Sequence, residues 1–163
     1  MKLIVGLGNP TPEHAKNRHN VGYILVTPLA DTWKSVGKLK ADIAKESDVI
    51  FCRPSEFMNS SGSAVSKVLN FYKLSPNDLI VVHDDLDLPF CEVRKQYAAG
   101  SAGHKGVQNI IDVLGTKEFY RVRVGIGRPL AQQLPPEEYV LQDFTTEELG
   151  KIASINIREY LQF

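Results

Sequence analysis

The sequence has only two cysteines, no long apolar run and no excess of either charge. Cys52 and Cys91 each follow a phenylalanine, so we expect them in or near the core and not in a disulfide framework, which fits a reducing compartment. No apolar stretch approaches the roughly 20 residues that a membrane span needs, and the apolar run at the amino terminus is too short for a signal peptide. These features predict a cytoplasmic protein that does not enter a membrane.

The charges of the chain cancel, because nineteen basic residues face nineteen acidic ones. Without an overall attraction for polyanions, any nucleic-acid binding must use a local basic patch. The 163 residues are 43% hydrophobic, which suits one globular domain with a core. The chain has no internal repeat, low-complexity segment or linker, so we expect a single domain over residues 1–163.

Apolar patterns along the chain alternate between strand and helix. Strands are predicted at 2–7, 49–52, 79–82, 93–97 and 120–126, and helices at 21–34, 57–72 and 106–114. Pro28 interrupts the first helix, and Thr145 with Glu148 resembles a capping box that opens a last one. The predicted fold class is therefore α/β, a three-layer α/β/α sandwich around a mixed, largely parallel twisted sheet.

Polar residues cluster where these elements end. Asn9 and His19 follow the first strand, and open α/β sheets bind ligands beyond the carboxyl ends of their strands. Further polar segments occur at 54–62, 83–87 and 100–106. An imidazole is a suitable general base near neutral pH, and a neighbouring carboxylate orients it and stabilises its protonated form. Together these residues predict a hydrolytic site.

Each candidate also has a simpler interpretation. His19 alone is more often a surface or capping residue, and Met58 is most simply core filling. Asp85 and Asp87 are better read as solvated loop carboxylates or helix caps than as metal ligands, because no second cluster has ligand spacing. The Gly-Ser-Ala-Gly run at 100–103 is a flexible turn or an anion-binding helix start, and it lacks the pattern of a nucleophile elbow.

Six segments taken in order resemble the bacterial peptidyl-tRNA hydrolase family. They read Lys-Leu-Ile-Val-Gly-Leu-Gly-Asn-Pro at 2–10, Arg-His-Asn-Val-Gly at 18–22, Phe-Met-Asn-Ser-Ser-Gly at 57–62, His-Asp-Asp-Leu-Asp-Leu-Pro at 83–89, Gly-Ser-Ala-Gly-His at 100–104 and Arg-Val-Arg-Val-Gly-Ile-Gly-Arg-Pro at 121–129. The resemblance implies hydrolysis of the ester between a peptide and the 3′ end of tRNA. It implies peptidyl-tRNA as the partner, no metal, no cofactor and a monomer.

The same resemblance assigns roles to matching residues. His19 would activate the water, and Asp84 would be its carboxylate partner. The substrate cleft would contain Asn9, Met58, Asn59, His104 and Lys105. Arg123 would bind a tRNA phosphate, with Lys95 as a candidate second cation. Alternation along the strand puts Arg121 on the same face as Arg123, and ion pairs with acidic neighbours such as Glu118 are the competing interpretation.

The chain departs from the family pattern in ways that keep two other functions open. Lys105 replaces the usual asparagine after the cleft histidine, and residues 34–50 and the carboxyl-terminal third look abbreviated. A catalytically weak RNA-binding protein on the same fold is one alternative, since Lys105 would strengthen RNA binding. A serine hydrolase that uses Ser101 with His104 is the other. Peptidyl-tRNA hydrolysis is favoured over both alternatives, because the chain retains His19, Asp84, Asn9 and Asn59.

Overall fold

Seven β-strands form one sheet in the computed structural model, which describes residues 1–129 and 134–162. In chain order they are β1 (Lys2–Gly6), β2 (Lys34–Val36), β3 (Ala41–Glu46), β4 (Val49–Pro54), β5 (Leu79–Asp85), β6 (Val93–Tyr97) and β7 (Tyr120–Gly125). Their order across the sheet is β2-β3-β4-β1-β5-β7-β6. The central strands β4, β1, β5 and β7 are parallel, whereas the β2–β3, β3–β4 and β6–β7 pairings are antiparallel.

Helices cover both faces of this sheet. The α-helices are α1 (Val21–Val26), α2 (Ser61–Phe71), α3 (Lys105–Leu114), α4 (Pro136–Tyr139) and α5 (Thr146–Ala153). Short 3₁₀ helices span Pro12–His14, Arg18–Asn20, Thr27–Leu29, Gly37–Leu39, Met58–Ser60, Pro76–Asp78 and Ile157–Tyr160. None of the helices in the described ranges is long and apolar enough to cross a membrane.

Two hydrophobic cores separate the three layers. Alternate residues of β5 enter different cores: Val81 packs with α2 and α3, and Val82 packs with α1 and α5. The central strands are buried on both faces, which explains why they appear in the sequence as continuous apolar runs. The predicted three-layer α/β/α sandwich with a mixed sheet is confirmed. Cys52 is buried, Cys91 is half-buried, and both are free thiols.

The structure corrects two of the predicted elements. The helix predicted at 21–34 ends at Val26 and continues only as a 3₁₀ turn, because Pro28 has no N–H to extend the ladder. Residues 34–46 instead form the β2–β3 hairpin, which was not predicted. The strand predicted at 79–82 runs on to Asp85, so His83 and Asp84 lie within the sheet and not after it.

Candidate active site

The candidate residues lie together in one cleft at the carboxyl ends of β1 and β5. This cleft has a volume of about 660 Å³. It is lined by all seven residues expected there, namely Asn9, His19, Met58, Asn59, Asp84, His104 and Lys105. They meet because β1 and β5 are parallel neighbours, and the carboxyl ends of parallel strands lie at one edge of a sheet.

His19 and Asp84 form a hydrogen-bonded pair in this cleft. His19 lies in the 3₁₀ turn before α1, and Asp84 is a buried residue of β5 with 3% of its side chain exposed. The His19 Nδ1 atom is 2.9 Å from Asp84 Oδ2 and 3.1 Å from Oδ1. An ionised carboxylate only accepts, so Nδ1 carries the proton and donates it. The other ring nitrogen, Nε2, is left with a lone pair.

His104 is the second partner of the same carboxylate. Its Nε2 atom donates to Asp84 Oδ1 at 2.8 Å, and its Nδ1 atom accepts from the backbone N–H of Val107 at 3.2 Å. This second bond caps the start of α3 and fixes the tautomer of the ring. Both nitrogens of His104 are therefore occupied, unlike those of His19.

Charge and burial act in opposite directions on these groups. Burial alone would raise the pKa of the Asp84 carboxyl, but His19 and His104 outweigh it and hold this pKa well below its usual range. Burial lowers the pKa of His19, the charge and hydrogen bond of Asp84 raise it, and nearby Lys105 lowers it; the net shift is upward. Asp84 is thus ionised, and its charge favours the imidazolium form of His19.

Asn9 is held by two neighbouring loops. Its Oδ1 atom accepts from the Met58 N–H at 2.8 Å, its own N–H donates to Asn20 Oδ1 at 2.9 Å, and its carbonyl accepts from Asn20 Nδ2 at 2.9 Å. Of the polar groups of Asn9, its Nδ2 group alone has no hydrogen-bond partner within the described ranges, so it can bind a ligand. Asn20 was not among the sequence candidates, although it lies next to His19, because no local pattern shows which residue a side-chain amide will hold.

The other expected cleft residues differ in exposure. Met58 is 4% exposed, so it fills the core, as its simpler interpretation held, and also lines the cleft. Asn59 is exposed at the rim. Lys105 is the first residue of α3 and is also exposed. Two apolar residues that sequence reasoning missed, Val140 and Leu141, complete the wall.

Arg123 lies outside this cleft, beside a second cavity of about 280 Å³. Its Nε atom donates to Asp85 Oδ2 at 2.5 Å, and its Nη1 atom donates to Gln96 Oε1 at 3.0 Å. Arg121 lines the same cavity but is 1% exposed, with its guanidinium stacked on Phe119 at 4.3 Å. The acidic partner of Arg123 is therefore Asp85, not Glu118.

The structure corrects the placement of Lys95. In the β6–β7 register, Arg94 lies opposite Arg123 and Lys95 lies opposite Val122. Opposed residues of an antiparallel pair share a face, so Lys95 lies on the other side of the sheet from Arg123. There its Nζ atom donates to the Gln162 carbonyl and lies over the Tyr120 ring. Lys95 and Arg123 cannot clamp one phosphate together.

Of the two neighbouring carboxylates, Asp85 departs from its expected position and Asp87 is the solvated loop carboxylate that was expected. Asp85 is not a solvated loop carboxylate, because it is a buried residue of β5 that binds Arg123 and accepts from the Asp87 N–H at 2.7 Å. Asp87 is exposed and paired with Arg128 at 2.5 Å. Neither residue caps a described helix, since the following one begins at Lys105.

One group of side chains in the described ranges has metal-ligand chemistry, and it is the cluster of His19, Asp84 and His104. Its ligand atoms lie within 4.8 Å of one another. Both oxygens of Asp84 already accept hydrogen bonds from imidazole N–H groups. A metal would have to displace both protons and break the bond between His104 and Val107.

Comparisons with known proteins identify the family of this chain. A family model described as peptidyl-tRNA hydrolase matches residues 3–161. The peptidyl-tRNA hydrolase of Thermodesulfovibrio yellowstonii is 45% identical over 93% of this chain and 84% of its own length. That of Geobacillus thermodenitrificans is 43% identical over 97% and 88%. A crystal structure of the Acinetobacter baumannii peptidyl-tRNA hydrolase superposes with a TM-score of 0.84 at 32% identity, covering 93% of this chain and 81% of that one. This chain belongs to the peptidyl-tRNA hydrolase family.

Proposed function

We propose that this chain hydrolyses the ester bond between a peptide and tRNA with a water molecule activated by His19. The observation that carries this proposal is the His19–Asp84 pair, which leaves the His19 Nε2 lone pair in the cleft. A lone pair at this position accepts a proton from water as the water oxygen attacks the ester carbonyl. Asp84 stabilises the imidazolium that forms, and the proton then passes to the ribose oxygen that leaves.

The remaining cleft residues fit the two parts of a peptidyl ester. The Nδ2 groups of Asn9 and Asn59 are donors for carbonyl oxygens of the substrate, including the oxygen that becomes negative during attack. Apolar contacts from Phe57, Met58 and Leu141 suit a peptide whose side chains are not read. Because recognition then depends on an amide, an aminoacyl ester with a free amine is a poor substrate.

The geometry argues against the serine hydrolase alternative. A nucleophilic serine needs a base within hydrogen-bond reach, and His104 was the candidate for Ser101. The two nitrogens of His104 are bound to Asp84 and to the Val107 N–H, so neither accepts a proton from Ser101. The intact His19–Asp84 pair likewise disfavours an RNA-binding protein without catalysis.

On the tRNA side, we propose that Arg123 contacts a phosphate at the second cavity. Its guanidinium is oriented by Asp85 and Gln96, and a planar fork held in this way suits a phosphate oxygen pair. Lys95 is excluded from this contact by its place on the other face. The protein has no net charge, so this local contact supplies part of the affinity that the whole molecule cannot.

The cysteines bear on the cellular compartment that we propose. Free thiols at Cys52 and Cys91 suit a reducing compartment. We place the enzyme in the cytoplasm, as a monomer with a single domain and no metal requirement.

The test compares N-acetyl-aminoacyl-tRNA with free aminoacyl-tRNA in the presence of EDTA. The blocked substrate is expected to be cleaved and the free one to remain largely intact. His19→Ala should lower the rate by roughly 10² to 10⁴, because it removes the general base. His14→Ala is the matched control, since His14 is bound to Thr11 outside the cleft lining. Equal cleavage of both substrates, or a His19→Ala rate within a few-fold of wild type, would refute the proposal.

A further inference from the structure

Backbone hydrogen bonds and one antiparallel β-bridge join the turn that carries His19 to the carboxyl-terminal part of the chain. The His19 N–H donates to the Val140 carbonyl at 2.8 Å, and the Arg18 N–H donates to the Gln142 carbonyl at 3.0 Å. An isolated bridge pairs Asn17 with Asp143. We call residues 139–148 the clamp segment, because they hold this turn from more than 100 residues away in sequence.

The side chain of Arg18 contacts four residues of the clamp segment, two through aromatic rings and two through polar atoms. Its guanidinium carbon lies 4.2 Å from the centre of the Tyr139 ring and 5.8 Å from that of Phe144, both within the range of cation–π attraction. Its Nη2 atom is 3.5 Å from Glu148 Oε1, and its Nη1 atom is 3.4 Å from Gln142 Oε1.

These contacts compensate poorly for the free-energy cost of burying the charge of Arg18. Arg18 is 9% exposed, its polar contacts are long, and its Nε atom has no partner in the described ranges. A buried cation with long, incomplete hydrogen bonds is a poor source of stability compared with apolar packing. Arg18 directly precedes His19, so its contacts can fix the position of His19.

The clamp segment also forms one wall of the cleft. Val140 accepts the His19 N–H through its backbone and lines the cleft, and Leu141 lines it beside Val140. This wall of the cleft and the turn that carries His19 are therefore one packed unit. A shift of this unit would change the distance between His19 and Asp84, which lies on the rigid strand β5.

We propose that Arg18 is a positioning residue that holds His19 against Asp84 by packing the turn at residues 18–20 onto the clamp segment. The kinetic test of this inference rests on the proposed function, whereas the NMR titration of His19 does not. It assigns Arg18 no contact with substrate.

Arg18→Met is the first test, because methionine keeps an apolar stem and removes the charge and the planar fork. We expect kcat to fall about ten-fold while KM stays near the wild-type value, since misplacement of a base affects the transition state more than binding. In an NMR titration the pKa of His19 is expected to fall, because a looser contact with Asp84 raises it less. Arg18→Lys retains a cation over Tyr139 and should recover part of both losses.

Glu148→Gln is the second test, for the case in which Arg18→Met fails to fold. Glutamine preserves the capping box in which Glu148 accepts from the Thr145 N–H, but it removes the charge that faces Arg18. Its effects should be smaller than those of Arg18→Met and in the same direction. Glu147→Gln is the matched control, because Glu147 is exposed and forms an ion pair with Lys151, away from Arg18. Its kinetics and His19 titration should match wild type.

Two results would overturn the proposal. One is a loss of activity in Arg18→Met that only follows the loss of folded protein, with the His19 titration unchanged. The other is an unchanged His19 titration in a folded Glu148→Gln. If the wild-type protein fails to cleave N-acetyl-aminoacyl-tRNA, the proposed function is wrong, whereas the titration still decides whether Arg18 positions His19.

Discussion

At the scale of single residues, Asp84 raises the pKa of His19, the proposed base. Burial and Lys105 lower the pKa of His19, and only Asp84 raises it. A general base must be neutral to accept a proton, so activity is expected to rise with pH through the raised pKa of His19. Substitutions at Asp84 and at Lys105 should therefore move the acidic limb of the pH profile in opposite directions.

Asp84→Asn removes the charge and keeps one acceptor oxygen, while the NH2 group that replaces the other oxygen cannot accept from an imidazole N–H. The pKa of His19 then falls, so the acidic limb of kcat/KM moves to lower pH, while the plateau falls by about 10²-fold because the imidazolium loses its stabilising charge. A pH series on N-acetyl-aminoacyl-tRNA measures both effects. An acidic limb that stays in place would show that Asp84 does not set the protonation of His19.

Lys105→Asn removes the cation that opposes Asp84. The pKa of His19 should rise further, so the acidic limb moves to higher pH, and turnover on the plateau is expected to be retained or increased because asparagine is the usual residue at this position in the family. Lys117→Asn is the control, since Lys117 is exposed beyond the end of α3 and does not line the cleft. A shift to lower pH, or none, would contradict a charge effect of Lys105 on His19.

At the scale of elements, the approach of α1 to the sheet brings His19 to Asp84. A Cβ atom on Gly22 would lie 2.4 Å from the Val82 carbonyl oxygen and 2.5 Å from the Leu7 nitrogen. Only glycine allows the helix to come so close to β5, and the turn with His19 directly precedes this helix. We therefore expect this glycine to affect the position of His19 as well as the packing of the helix.

Gly22→Ala is expected to lower the free energy of unfolding by about 3 kcal/mol, because backbone atoms must move to accept the methyl group. Denaturant unfolding measures the loss, and kcat per folded molecule should fall with it because the turn moves away from β5. Gly150→Ala in α5 is the control. Nothing lies within 4 Å of its Cβ position, so it should be neutral or stabilising by up to about 1 kcal/mol. Equal stabilities of the two variants would exclude close packing as the role of Gly22.

At the scale of the whole molecule, zero net charge provides no overall attraction for a polyanion, so the proposed Arg123 contact should contribute measurably to tRNA affinity. Arg123→Ala should raise KM for peptidyl-tRNA and reduce the slope of log affinity against log salt by about one. Hydrolysis of a short peptidyl ester without the tRNA body should be spared. Lys45→Ala removes the same charge from an exposed position on β3, at the far side of the sheet, and should change neither quantity.

Removal of Arg123 also leaves the buried Asp85 carboxylate without its partner, so stability must be measured in parallel. Equal losses on the short ester and on peptidyl-tRNA would assign Arg123 to folding or chemistry instead of tRNA binding.

The sequence by itself determined the fold class and most central elements. Apolar runs such as 79–82 are long enough to indicate buried strands, and the capping box of Thr145 and Glu148 is present as predicted. The motifs around His19 and Asp84 predicted which residues line the cleft. These signals are local, because each depends on neighbours within one turn or one strand. The β2–β3 hairpin has no such pattern and was missed.

Only the tertiary structure decided the contacts between distant segments. The β6–β7 register places Lys95 and Arg123 on opposite faces of the sheet. Arg123 pairs with Asp85, and both ring nitrogens of His104 form hydrogen bonds. The tertiary structure also brings the clamp segment onto the turn at residues 18–20. Strand register and side-chain pairing across a hundred residues depend on how the layers pack, and packing is a property of the whole chain that local periodicity does not encode.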